Sequence, residues 1–273
     1  MKKKFTLTKQ SLSSYFQTYP FEKAQVIKKL GQGSYGSVRL YTLTSGERVA
    51  IKRIRGNNND GISSSTLREI NSLMSVIGCE NILQLLNIKH EILNNLTRVE
   101  LMLTYHTSDL QKFCQTVNFL ERVKYSNEII QQLFNGLFQL YNRGILHRDI
   151  KPQNILIDYV YDSNTGKLLE IPKCYYPDFG LARQLACNTQ QRNQNMTTEV
   201  YTANYRPPEI MVENDDYTDK ADIWALGVTL VEYFSGKYLF DFSSMHLNEV
   251  VEIIFPKLTT PLQPTLENIN LVK

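Results

Sequence analysis

The sequence predicts an α+β fold in two unequal parts, a small β-rich half followed by a larger, mostly helical one. Three observations carry this. From about Val26 to Leu103 the chain is a succession of short β-branched or apolar runs separated by turn residues. After Asp109 the apolar period changes to three and four residues. The change falls near Leu103 to Thr107, so two compact parts are expected there, with a ligand cleft between them.

Taken in order, residues 1–20 read as an N-terminal extension. Lys2, Lys3 and Lys4 give the positive flank of a secretion signal, but Thr8, Lys9, Gln10, Ser11, Ser13 and Ser14 follow where an apolar stretch would be needed. Strands are expected over Val26–Leu30, Ser37–Thr42, Arg48–Arg53, Leu83–His90 and Arg98–Thr104. One helix interrupts them, because Leu67, Ile70, Leu73, Met74 and Ile77 recur on one face, and Leu67, Ile70 and Leu73 are expected to turn inward. Farther on, Ile129, Ile130, Leu133, Leu137, Leu140 and Tyr141 mark a long helix. Ile223, Trp224, Leu226, Leu230, Val231 and Phe234 mark a second, almost wholly apolar one, expected to be buried and central. The stretches 158–167 and 187–198 read as loops.

Bulk properties narrow the function. With 273 residues, 42 % hydrophobic and 21 % charged, the chain has ordinary globular usage. A formal charge of +3, from 30 Lys and Arg against 27 Asp and Glu, gives no field that implies nucleic acid or membrane as the main partner. No segment approaches the roughly 18 apolar residues of a membrane helix. Cys79, Cys114, Cys174 and Cys187 lack CxxC spacing, which argues against a zinc site or a disulfide framework and for a reducing compartment, cytoplasmic or nuclear.

Five segments carry chemistry. Gly31-Gln32-Gly33-Ser34-Tyr35-Gly36-Ser37-Val38 is G-x-G-x-x-G between two strands, and its glycines let backbone amides approach phosphate oxygens. A flexible hairpin is the alternative; a dinucleotide fold is disfavoured because a strand follows. In Val49-Ala50-Ile51-Lys52, strand alternation puts Ala50 and Lys52 on one face, so the ammonium reaches phosphates beneath the glycine loop. Glu69, at the edge of the helix's buried face, is placed to pair with Lys52; otherwise Thr66-x-x-Glu69 is a helix capping box. The strongest signal is His147-Arg148-Asp149-Ile150-Lys151-Pro152-Gln153-Asn154. Here Asp149 can accept a hydroxyl proton, Lys151 can neutralise a transferring phosphoryl and Asn154 can hold a magnesium ion. Asp178-Phe179-Gly180 then supplies a carboxylate oxygen suited to hard magnesium.

With Pro207-Pro208-Glu209 and Asp222-Ile223-Trp224-Ala225-Leu226-Gly227 following in order, the chain resembles the eukaryotic protein kinases, and within them the cyclin-dependent kinase group, from about Phe21 to Phe255. The resemblance implies a two-lobed kinase fold with an N-lobe at 21–103, a hinge at 104–107, a C-lobe at 108–255 and an irregular tail at 256–273. It implies an ATP-dependent serine/threonine kinase using ATP and Mg2+, since Lys151 in this loop is typical of that class. ATP contacts would come from Gly31, Gly33, Ser34, Tyr35, Gly36, Val38, Ala50, Lys52, Leu103, Thr104, His106, Asp109 and Leu156, and metal ligands from Asn154 and Asp178. Asp149, Lys151, Lys52 and Glu69 would be the catalytic set. His147, Phe179, Glu209 and Asp222 would be structural supports. Thr197 matches an activating phosphorylation position, where a phosphate would pair with Arg68, Arg148 and Arg183. Ser34 and Tyr35 match inhibitory ones. The helix motif Gly61–Glu69 resembles the cyclin-contacting helix, so a cyclin or cyclin-like activator joins the protein substrate as an expected partner.

The departures matter too. The Gly61–Glu69 motif has serines where better-known members carry proline and alanine, which loosens the link to a cyclin. Tyr175-Tyr176-Pro177 stands where an apolar strand is usual, and Pro177 cannot donate a ladder hydrogen bond, so that strand is expected to be short or bulged. Asn204 and Pro207 replace a large aromatic and an alanine. After Phe255 the last C-lobe helices of the family are not recognisable, so exposed apolar surface and an unpaired Glu209 are expected. These features keep open a second reading, a catalytically weak kinase-like scaffold or regulatory binding protein.

Overall fold

The computed structural model describes residues 19–21, 24–33, 36–56, 61–93, 96–177, 183–184, 203–211 and 218–240. They fall into two compact units divided between His106 and Thr107.

The first unit is built on a five-stranded sheet of order β1-β2-β3-β5-β4, with β1 (Gln25–Gly33), β2 (Gly36–Thr42), β3 (Arg48–Arg55), β4 (Leu85–Leu93) and β5 (Leu96–Thr104). Every neighbouring pair is antiparallel. The expected strands are all present, and the first two extend into the glycine motif. Gly36 sits so close to β3 that a Cβ there would meet the Arg53 carbonyl oxygen at 2.0 Å, which makes glycine obligatory at this crossing. Alternation along β3 sends Val49 and Ile51 into an apolar cluster with Leu43, Leu86 and Met102, covered by Tyr19, Phe21, Ala24 and Tyr41. β4 begins two residues later than Leu83. Gln84 donates from Nε2 to the carbonyls of Cys79 (2.9 Å) and Ile82 (2.7 Å) and accepts from Gly78 N–H (2.7 Å), fixing a turn there.

Helix α1 (Ser64–Ser75) is capped by Ser63, whose hydroxyl accepts from Thr66 N–H at 3.2 Å. Its buried stripe differs from the expected one. Thr66, Glu69, Ser72 and Leu73 are buried, Ile70 is half-buried, and Leu67 is 48 % exposed rather than turned inward. The physical reason is the ion pair made by Glu69, which claims the inner face for a carboxylate. Glu69 belongs to no capping box.

The second unit contains β6 (Ser108–Asp109), α2 (Leu110–Thr116), α3 (Phe119–Lys124), α4 (Ser126–Tyr141), β7 (Ile145–Leu146), β8 (Leu156–Asp158), β9 (Tyr161–Asp162), β10 (Lys167–Leu168), β11 (Lys173–Tyr175), β12 (Arg183–Gln184), α5 (Pro208–Met211) and α6 (Asp219–Ser235). Strand order is β11-β8-β6 in one sheet, and β12 pairs with β7. Helix α4 buries Ile129, Leu133, Leu137 and Leu140, as its periodicity requires. Helix α6 departs from the expectation of a wholly buried helix. It buries Ala221, Asp222, Ala225, Leu226, Val228, Thr229 and Tyr233, while Ile223, Val231 and Phe234 are exposed, because large apolar residues lie on both of its faces and only one is packed.

Residues 158–167 are not a plain loop. They contain most of a hairpin of β9 and β10, whose turn is held by Asp162 accepting from Asn164 N–H (2.9 Å) and Thr165 Oγ1 (2.7 Å). Gly166 takes φ +67° at its end. β11 is three residues long and stops before Pro177, which has no N–H to donate.

Candidate active site

In the first unit, Lys52 faces the side of β3 opposite the apolar cluster, with Val38 and Leu101 beside it in register. Its Nζ lies 2.6 Å from Glu69 Oε1, and both side chains are largely shielded from water. Helix α1 thus delivers a carboxylate to a strand lysine 17 residues back, and the pair fixes where the ammonium points. Ala50 lies between Leu40 and Leu103 in register, and Gly31 lies opposite Val38. Leu103 is buried, while Thr104 and His106 are half-buried. The Thr104 hydroxyl accepts from Gln84 N–H at 3.1 Å and shares a hydrogen bond of 3.0 Å with His106 Nε2. Arg68 is exposed, its Nε donating to the Ser64 carbonyl.

In the second unit, the segment after β7 is organised around the buried carboxylate of Asp222. Its Oδ2 accepts from His147 N–H at 2.7 Å and its Oδ1 from Arg148 N–H at 2.8 Å. Arg148 has φ +71°, a conformation that costs a non-glycine residue about 1–3 kcal/mol, and these bonds over-determine it. Asp149 N–H donates to His147 Nδ1 at 3.3 Å, so the ring proton resides on Nε2, which donates to the Pro177 carbonyl at 2.8 Å.

The Asp149 side chain is held from two sides. Lys151 Nζ lies 3.0 Å from Oδ1, and Asn154 Nδ2 donates to Oδ2 at 2.5 Å and to the Asp149 carbonyl at 2.9 Å. With the Asn154 amide nitrogen directed at Asp149, its carbonyl oxygen is the atom left to face a cation, which fits a hard metal's preference for oxygen. Leu156 pairs with Asp109 across β8 and β6. The Asp109 carboxylate caps α2, accepting from Lys112 N–H at 2.9 Å and pairing with Lys112 Nζ at 2.6 Å. Glu209 is half-buried, with no hydrogen bond or ion pair among the described residues.

The structure therefore brings Lys52 to Glu69 within one unit, and His147, Arg148, Asp149, Lys151, Asn154 and Asp222 together within the other. Ser34, Tyr35, Asp178, Phe179 and Thr197 lie outside the described residues. Arg183 lies on β12, and its side chain is likewise outside them. Two contacts lay outside the site residues expected from the sequence. Tyr205 donates to Glu232 at 2.5 Å, and burial raises the pKa of the Glu232 carboxyl. The Tyr176 ring packs on His147 with centroids 5.6 Å apart. Only the aromatic residue where an aliphatic strand was expected hinted at the second.

Comparison with known proteins follows the same lines. The protein kinase domain family matches residues 24–269. The chain is 32 % identical to CTD kinase subunit alpha of Schizosaccharomyces pombe over 249 residues, 90 % of this chain and 38 % of that protein. It is 30 % identical to cyclin-dependent kinase 17 of Caenorhabditis elegans over 241 residues, 88 % of this chain and 33 % of that protein. The chain thus spans about a third of the length of these curated relatives. With the family match covering most of its length, the chain belongs to the protein kinase domain family.

Proposed function

We propose that this chain transfers the γ-phosphoryl of ATP to serine or threonine hydroxyls of protein substrates. The carrying observation is the Asp149 carboxylate fixed between Lys151 and Asn154. In this reading the substrate hydroxyl loses its proton to Asp149 as its oxygen attacks the γ-phosphorus, the bond from phosphorus to the β,γ-bridging oxygen breaks to release ADP, and Lys151 offsets the negative charge on the transferring group. Lys52, oriented by Glu69, holds the α- and β-phosphates, and the glycine loop 31–36 covers them with backbone amides. Asn154 and Asp178 would hold Mg2+, whose chemistry is charge neutralisation across the phosphates. Catalysis of this kind is positioning and electrostatics, and the fixed contacts of Asp149 and Lys52 supply both.

Residues 104–107 serve as hinge in the same reading, and a cytoplasmic or nuclear setting goes with it. The exposed Leu67 on α1 offers apolar contact to a cyclin-like activator. Thr197 is assigned a regulatory phosphate role with Arg68, Arg148 and Arg183 as its partners, and Ser34 and Tyr35 inhibitory ones; the family resemblance alone supports these. The test is incubation of the purified chain with labelled ATP and Mg2+ against serine, threonine and tyrosine peptides, with and without candidate cyclins, followed by phosphoamino-acid identification. Label on serine or threonine that disappears on chelation with EDTA is the expected outcome. Nucleotide binding without transfer under any of these conditions would replace a kinase with a scaffold.

A further inference from the structure

We propose that Tyr176 is a positioning residue of the catalytic segment: its ring braces His147, the side chain that ties the backbone of Asp149 to the backbone just ahead of Asp178. The proposal rests on the kinase reading of this site. His147 uses both ring nitrogens, Nδ1 for the Asp149 amide and Nε2 for the Pro177 carbonyl, so a tilt of the imidazole shifts the Asp149 backbone relative to that of Pro177. The Tyr176 ring packs on that imidazole, centroids 5.6 Å apart and planes inclined at 59°, so a smaller side chain in its place would leave the buried His147 ring room to shift.

Tyr176 is suited to this by burial. It is 0 % exposed and heads the fully buried side chains by volume, so it fills a rigid, close-packed site. It also lies directly after β11, in a single bridge pair that is the last before Pro177, so backbone pairing and packing together fix its place. Its hydroxyl is buried with no hydrogen-bond partner among the described residues. Burial first, then the Asp222 carboxylate and the Cys174 thiol, keep the phenol protonated far above its usual range. An unpaired hydroxyl contributes nothing favourable to the fold, so the ring is the functional part and phenylalanine should replace it.

The experiment compares wild type, Tyr176→Phe and Tyr176→Leu, with Tyr176→Met as the reserve should the leucine variant fail to fold. Two readouts are taken on the full chain: hydrogen exchange of the amides in residues 145–154, and kcat and KM for ATP in peptide phosphorylation. For the leucine or methionine variant, exchange at 145–154 should quicken at least about tenfold while α4 keeps its protection. kcat should fall about 10- to 100-fold, the range expected for a slip of order 1 Å, with KM for ATP within about twofold. Phenylalanine should restore both readouts. Wild-type exchange and kcat in the leucine or methionine variant would overturn the proposal, as would loss of protection spread evenly over the chain, or a phenylalanine variant as impaired as leucine. If the wild type itself transfers no phosphate, the kinase reading fails and the exchange comparison still decides the role of Tyr176.

Discussion

Lys52 and Glu69 show how a single contact sorts a sequence reading. A lysine on a strand is ordinarily solvated, and a Thr-x-x-Glu on a helix is ordinarily a cap, but the 2.6 Å pair and the Ser63 cap assign Glu69 to the lysine. Lys52→Met should lower stability by about 3 kcal/mol, the lower end for breaking a shielded pair, because the buried Glu69 carboxylate loses the ammonium 2.6 Å away; chemical denaturation measures this. Asp222 is the matching support in the second unit. Asp222→Ala orphans two buried amides at about 1–3 kcal/mol each and releases Arg148 from its left-handed conformation, so Tm should fall and phosphoryl transfer should drop with it. Neither bond is visible in sequence, since the partners are 74 and 75 residues apart.

Cysteine chemistry belongs to the same scale. Burial pushes the Cys114 thiol from 9.0 up to about 11, Arg122 only partly opposing it. A pKa raised in the fold favours the folded state below pH 9, and that contribution is lost as pH rises from 9 towards 11. At pH 8 the thiolate fraction is about 100-fold below that of an unperturbed thiol. Alkylation by iodoacetamide, followed by mass spectrometry of the Cys114 peptide, should therefore be slow at pH 8 and accelerate above pH 10.

At the scale of elements, the strands of the first sheet were legible because their apolar runs are short, β-branched and punctuated by turn residues. Helix α4 was legible because its stripe has one period throughout. The phase of α1 was not, because Glu69 occupies an inward position that periodicity reserves for an apolar side chain. The β9–β10 hairpin was hidden for another reason: its strands are two residues each, and distant side chains hold it. Asn118 Nδ2 donates to the Gly166 carbonyl and Glu121 Oε2 accepts from Leu168 N–H. Capping is the local force on α1, so Ser63→Ala should cost about 1 kcal/mol in chemical denaturation, with no change in KM for ATP.

For the whole molecule, the order of motifs was the most informative property of the sequence. A glycine loop, a strand lysine, a helix glutamate and an Asp-Lys-Asn segment each have ordinary explanations alone. The structure gives each a fixed neighbour within its own unit, and the family match runs across both. What the order could not supply was support: the Asp222 carboxylate under the catalytic segment, the Tyr176 ring against His147, and the exposed apolar stripe of α6 all depend on packing between distant residues. The role of Asp149 as acceptor of the substrate proton is the claim on which the mechanism stands. The direct measurement is phosphoryl transfer by Asp149→Asn beside wild type, in preparations matched for Tm and for ATP binding. The expected result is a loss of at least about 100-fold in kcat with ATP affinity retained; equal transfer by the two proteins would contradict it.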